Sequence, residues 1–129
     1  MPGWRGDTGI YLLKANIHQT NLREATLNNA NLRDARLPNA TLRSVNLRYA
    51  SLRGADLQEA DLRYACLEGA WLYGARLRGA DLAGARLHGA SLTGARLGGN
   101  ALNRAQLGGA RLPAAFSSNA PAKEGGQER

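Results

Sequence analysis

The chain has 129 residues, with 17 Lys and Arg against 10 Asp and Glu for a formal charge of +7, and only one Cys, one Met and one Phe. One cysteine excludes an internal disulfide and a multi-cysteine zinc site, and no apolar run of about 18 residues exists to cross a membrane as a helix. With one Phe and one Met, the large residues available for a core are nearly all leucine, unlike the mixed core of a compact globule of this length.

Residues 1–9, beginning Met1-Pro2-Gly3-Trp4-Arg5, precede any regular pattern. They lack the apolar stretch of a secretory signal, which predicts a cytoplasmic location. A beat then starts at Leu12 and Ile17 and becomes strict. Leucine occupies every fifth position from Leu22 to Leu112, nineteen times in succession. Two residues before each beat sits a small residue. From Ala25 to Ala115 it is Ala seventeen times in nineteen, with Val45 and Asn100 as the exceptions.

A period of five fits neither regular element. On a helix each step of five rotates the side chain by about 140°, so the leucines spiral and form no apolar face. On a continuous strand every second leucine points outward. A short strand plus a corner satisfies the pattern, with Ala and Leu pointing inward together and a turn resetting the phase. A chain that turns every five residues coils on itself, and successive coils stack about 4.8 Å apart through backbone hydrogen bonds. A fixed repeat of this kind is the signature of a solenoid.

Units such as Ala55-Asp56-Leu57-Gln58-Glu59, Ala60-Asp61-Leu62-Arg63-Tyr64 and Ala80-Asp81-Leu82-Ala83-Gly84 resemble the pentapeptide repeat, A-(D/N)-L-x-x. The resemblance covers residues 10–115. It implies an all-β, right-handed quadrilateral β-helix solenoid with four units per turn and about five coils, roughly 25 Å long. Residues 1–9 are then an N-terminal cap, with Trp4 and Tyr11 as the lid of the first coil. Phe116 is a plug at the other end, and residues 116–129 form a disordered polar tail. Thr20 and Asn100, first and last of one inward stack, are expected to cap exposed backbone there.

Glycine closes the unit from Gly54 onward at most places, for example Gly69, Gly74, Gly79 and Gly94, while Glu24, Asn29, Asp34, Asn39, Ser44 and Tyr49 hold that place earlier. A type II turn needs a positive φ at its third residue, which glycine adopts freely. Type II corners are therefore expected in the later coils. Other turns, or Asn in the left-handed region, are expected in the earlier ones.

With twenty residues per coil, side chains twenty apart become vertical neighbours. One ladder then carries Arg23, Arg43 and Arg63, an anion-binding candidate, since the guanidinium fork suits phosphate or carboxylate. Such a ladder equally serves as a solvated face. Trp71 and Tyr73 share one unit outside the Ala/Leu core. With Arg33, Arg53 and Arg78 they are the candidate partner-binding residues, because large exposed aromatics beside arginine typify interfaces. Cys66, just before Leu67, is expected to lie shallow and inert. His18 and His88 fall on different sides, and no catalytic set, metal-spaced cluster or phosphate-cradling loop is present.

The expectation is a non-enzyme without cofactor or metal. It is a protein-binding or scaffold module that docks an acidic partner, or sits as a small subunit in an assembly, through a flat face. The resemblance also implies an alternative, a DNA-mimicking binder of a type II topoisomerase (gyrase) that protects against quinolones. That mimicry needs an acidic rod, whereas this chain has a pI near 10.5. Direct nucleic-acid binding by the Arg ladders is permitted by the charge, but no aromatic-interleaved platform accompanies it.

Overall fold

Parallel bridges join residues twenty apart along four ladders, so each coil has four sides. The first wall carries Asn16, Arg36, Asp56, Arg76 and Arg96; the second carries Asn21, Thr41, Asp61 and Asp81. The third carries Thr26, Asn46, Cys66, Arg86 and Gln106; the fourth carries Asn31, Ser51, Trp71, Ser91 and Arg111. The chain is a right-handed quadrilateral β-helix. This is a computed structural model, and it describes residues 14–16, 20–98 and 101–114. The proposed N-terminal cap, Trp4, Tyr11, His18, Asn100, Phe116 and the proposed tail lie outside the described residues. The strands are minimal. Among the described residues only β1 (Arg76–Leu77) and β2 (Arg96–Leu97) pair over two residues, in parallel; elsewhere in them the ladder is a single bridge per side.

The repeat is explained by where its five N–H groups go. In the unit Ala25–Asn29, Ala25 donates to Leu22 O of its own corner, Leu27 to Asn46 O and Asn29 to Arg48 O one coil on. The second residue of a unit donates one coil back, as Asn46 does to Ala25 O at 2.9 Å. That leaves the fourth N–H without a ladder partner, and a buried or half-buried donor needs one. The Asn or Asp at the second position supplies it from two residues away. Asn21, Asn31, Asn46, Asp56, Asp61 and Asp81 each accept from the N–H two residues on, at 3.1–3.3 Å. The polar letter in the repeat is thus a backbone device.

Leu27 through Leu92 stack as a column at most 2 % exposed, and the intervening Ala and Val45 let the walls close around them. The leucines from Leu22 to Leu112 all point inward, but burial is complete only in the middle of the column. Leu22, Leu97, Leu102, Leu107 and Leu112 are only partly buried, because a stacked column covers its members from above and below and the terminal ones have one neighbour fewer.

The turn expectation holds for the glycines and for left-handed Asn29 and Asn39, and is corrected only in that the earlier coils use no different turn. The fifth residue has positive φ throughout the described coils, from 57° to 73°, whether it is glycine or Glu24, Asn29, Asp34, Asn39, Ser44, Tyr49, Glu59 or Tyr64. Each corner closes with the same bond from the next Ala (or Val45) N–H to the Leu carbonyl, such as Ala50 to Leu47 at 3.1 Å. The fifth N–H also bonds the following coil. The square corner therefore dictates the left-handed conformation, and an L-residue there carries about 1–2 kcal/mol of strain. Replacing Asn29 with Gly is expected to leave thermal stability unchanged or raise it by up to about 1 kcal/mol.

Glycine has a second role in the later coils. A Cβ at Gly54, Gly69, Gly79 or Gly84 would strike the side chain of Asp34, Tyr49, Glu59 or Tyr64, which leans over from the preceding coil; Gly74 and Gly89 meet nothing within 4 Å. Gly69→Val is therefore expected to lower the melting temperature more than Gly74→Val, which costs about 1–2 kcal/mol from φ alone. Equal penalties at the two sites would refute the leaning-side-chain account.

Candidate functional site

Strand alternation turns the second and fourth residues of each unit outward. On the fourth wall these are Asn31 and Arg33, Ser51 and Arg53, Trp71 and Tyr73, then Ser91 and Thr93. The Trp71 and Tyr73 rings stack with centroids 6.0 Å apart and planes 26° from parallel. Trp71 is 49 % exposed despite that stacking. The Arg53 guanidinium lies 5.6 Å from the Tyr73 ring centroid, a cation–π contact. Arg33, Arg53 and Tyr73 line one shallow groove of about 390 Å³ with Asp34 and Thr93. Tyr49, at the corner entering this wall, leans over Gly69 and is 62 % exposed, which extends the aromatic strip by one coil.

Arg78 stands apart from this group. It belongs to the first wall, where it shares a groove with Gln58, Arg76 and Arg96. Of the five partner-binding candidates, Trp71, Tyr73, Arg33 and Arg53 are brought together. Tyr49 is absent from the sequence candidates because its place beside this wall appears only once the coil above it is in place. The pairing of Tyr49 with Gly69, twenty residues on, was the available signal.

The Arg23, Arg43 and Arg63 ladder is formed on the second wall, but two of its charges are engaged. Arg63 makes two bonds of 2.8 Å to the Asp61 carboxylate, with Asp81 at 3.9 Å. Arg43 lies 5.5 Å from the Tyr64 ring centroid. On the third wall Arg48 pairs with Glu68, and Cys66 is a half-buried free thiol between Asn46 and Arg86. His88 faces Gln106 at 3.2 Å. Among the described residues no His/Cys/Asp/Glu group is placed to hold a metal ion, and no helix is long and apolar enough to cross a membrane.

The Arg63 hydrogen bond holds the Asp61 carboxyl below its ordinary value. A depressed carboxyl adds stability above its unfolded pKa and loses it as pH falls through the folded one. The pair is open to solvent, so its contribution is small. Thermal melts of Asp61→Asn should therefore fall slightly less between neutral pH and about pH 3 than those of the parent chain.

The pentapeptide-repeats family model matches residues 10–48, 42–79 and 67–99 in overlapping stretches. Among solved structures, a pentapeptide repeat protein from Nostoc is 34 % identical, over 79 % of this chain and 84 % of that one, with a TM-score of 0.68. A pentapeptide repeat protein of the Arabidopsis thaliana thylakoid lumen is 30 % identical over 70 % of this chain, with a TM-score of 0.61; the match spans 60 % of its length. The plasmid-mediated fluoroquinolone resistance protein QnrB1 matches at 17 % identity over 85 % of this chain and 81 % of its own, with a TM-score of 0.40, too remote to bear on function. No curated protein matches.

Proposed function

Because the chain belongs to the pentapeptide-repeat family, we propose that it is a non-catalytic docking module whose fourth wall holds an acidic protein partner, as a scaffold or a small subunit of an assembly. One observation carries this reading. The half-exposed Trp71–Tyr73 stack sits on a wall where, among the described residues, no arginine is held by a carboxylate, and Arg53 lies over the Tyr73 ring. Among the described residues no ion pair engages Lys14, Arg33, Arg53 or Arg111; most arginines of the other walls are likewise unpaired, but this wall alone sets them beside a stacked aromatic pair. An aromatic anchor rimmed by unpaired arginine suits a surface bearing carboxylates. The core does not use these rings, since the leucine column is complete beneath them. The test is recovery of partners from host extract by the parent chain and by a Trp71→Ala/Tyr73→Ala variant.

A nucleic-acid role for the second wall predicts a different outcome. Binding to duplex DNA would fall steeply with salt, and reversing Arg23, Arg43 and Arg63 to Glu would flatten that slope. With Arg63 held by Asp61 and Arg43 on a tyrosine, only weak binding is expected at low salt, lost at about 150 mM. Tight, salt-resistant retention of DNA in an anisotropy titration would move the function to that wall.

A further inference from the structure

The fourth-wall ladder runs Asn31, Ser51, Trp71, Ser91, Arg111, so one short side chain lies between two long ones. Coils rise by about 4.8 Å, which puts Trp71 and Arg111 about 10 Å apart with Ser91 at the bottom of the gap. The gap is a slot of about 220 Å³ lined by Trp71, Ser91 and Arg111, with Gly69, Gly89 and Gly109 along its corner edge. Gly89 and Gly109 keep their part of the edge bare, while the Tyr49 ring leans over Gly69. A Cβ at Gly89 would meet nothing within 4 Å, and one at Gly109 only the Gly89 backbone at 3.7 Å and 4.0 Å.

A hydrogen-bonding group without a partner lies beneath the floor of the slot. Ser91 is 6 % exposed and is the one buried polar residue among those described. Its Oγ has no hydrogen-bond partner. A buried hydroxyl left in that state is costly, and such groups call for a ligand or water. The Arg111 guanidinium at the slot's upper side has no carboxylate within ion-pair distance among the described residues, and the ladder itself contains no acid.

We propose that the Trp71–Ser91–Arg111 slot is the specificity pocket of this wall, and that it takes an Asp or Glu side chain of the partner. The carboxylate accepts the Arg111 fork on one side and, once χ1 of Ser91 turns the buried Oγ toward the slot, the Ser91 O–H on the other, while its methylenes lie against the indole. The bare glycine corner lets the partner backbone come close enough for so short a side chain to reach the floor. This rests on the docking role proposed above and names the chemical group that the wall selects.

The probe is a capped tripeptide, Ac-Gly-Asp-Gly-amide, titrated into the isotope-labelled full chain by NMR, with Ac-Gly-Asn-Gly-amide as the control. Shifts are expected at the Ser91 amide, the Trp71 indole N–H and the Arg111 side chain, with the Asn peptide at least tenfold weaker. Ser91→Ala keeps the slot's shape and removes the hydroxyl, and should weaken the Asp peptide about five- to tenfold while leaving the melting temperature unchanged or higher. Arg111→Gln should weaken it tenfold or more. Shifts confined to the Arg76, Arg78 and Arg96 groove, equal binding of both peptides, or binding insensitive to Ser91→Ala would each overturn the proposal. Partner recovery separates the two readings. If Trp71→Ala/Tyr73→Ala loses the partner while Ser91→Ala and Arg111→Gln retain it, the wall stands and the slot falls. If none of these variants loses it, both fall.

Discussion

Leu62→Asp is expected to unfold the protein. Leu62 belongs to the middle coil, is 0 % exposed and lies in a stack between Leu42 and Leu82. An aspartate there finds only leucine and alanine, with no cation or donor to receive it. Loss of the packed leucine alone costs about 2–5 kcal/mol, and burying an unpaired carboxylate adds several more. The sum reaches the whole stability of a typical domain, about 5–15 kcal/mol. The architecture adds to the damage. Each coil contacts only the coils above and below, so a broken middle coil leaves two short stacks, each with a newly open end. Far-UV circular dichroism should lose its β signature, and the cooperative melt should disappear. Leu107→Asp, at a partly buried position near the end of the column, should leave most of the helix standing. A folded Leu62→Asp variant melting at the parent temperature would refute the coil as described.

The fold was legible because one constraint repeats. The leucine beat excludes helix and continuous strand, and the Ala/Leu spacing gives the inward pair for every unit from Leu27 to Leu92. The corners were less legible, because local preference misleads there. Tyr49 and Glu59 have little intrinsic tendency toward positive φ, yet the ladder bond on one side and the corner bond on the other hold them at 59° and 60°. Tertiary geometry overrides propensity wherever both bonds are required. The glycines gave only half their reason in sequence. Positive φ is readable from one unit, but the Tyr64 ring over Gly84 needs the twenty-residue coil before the two residues meet.

The candidate site shows the same division. Trp71 and Tyr73, two residues apart, had to share a face once the unit was a strand, and Arg53 twenty before Tyr73 had to lie beside it. Arg78 is five residues after Tyr73, which is one wall further round. The charge count could not separate arginines already paired from those left free. Arg63 and Asp61 lie two apart and pair, whereas Arg76 and Asp56 lie twenty apart and do not, Asp56 Oδ1 instead accepting from the backbone and side chain of Gln58 at 3.1 and 3.0 Å. The unpartnered Ser91 hydroxyl was hidden for the same reason. A serine at an outward position predicts exposure, and only its long neighbours on the adjacent coils bury it.

The Trp71→Ala/Tyr73→Ala double variant should lose at least about 2 kcal/mol of partner binding, roughly 30-fold in Kd. Its thermal stability should stay within about 1 kcal/mol of the parent, because both rings lie outside the leucine column and rest chiefly on each other and on Arg53. The two losses come from different places. Stability resides in the inward stack and the ladder bonds, neither of which uses these side chains. Binding would draw on about 150–250 Å² of surface per aromatic ring, removed from water only when a partner covers it. Arg33→Gln and Arg53→Gln should act differently again. They remove charge at the rim, so association should slow and lose its salt dependence while dissociation changes little. Arg53→Gln should also loosen Tyr73, which loses the cation over its face. The measurement is a kinetic binding assay against the recovered partner at two salt concentrations, beside a thermal melt of each variant. Unchanged dissociation in the aromatic double variant, with full recovery of the partner, would remove the fourth wall from the function and leave the first-wall groove of Arg76, Arg78 and Arg96 as the next surface to test.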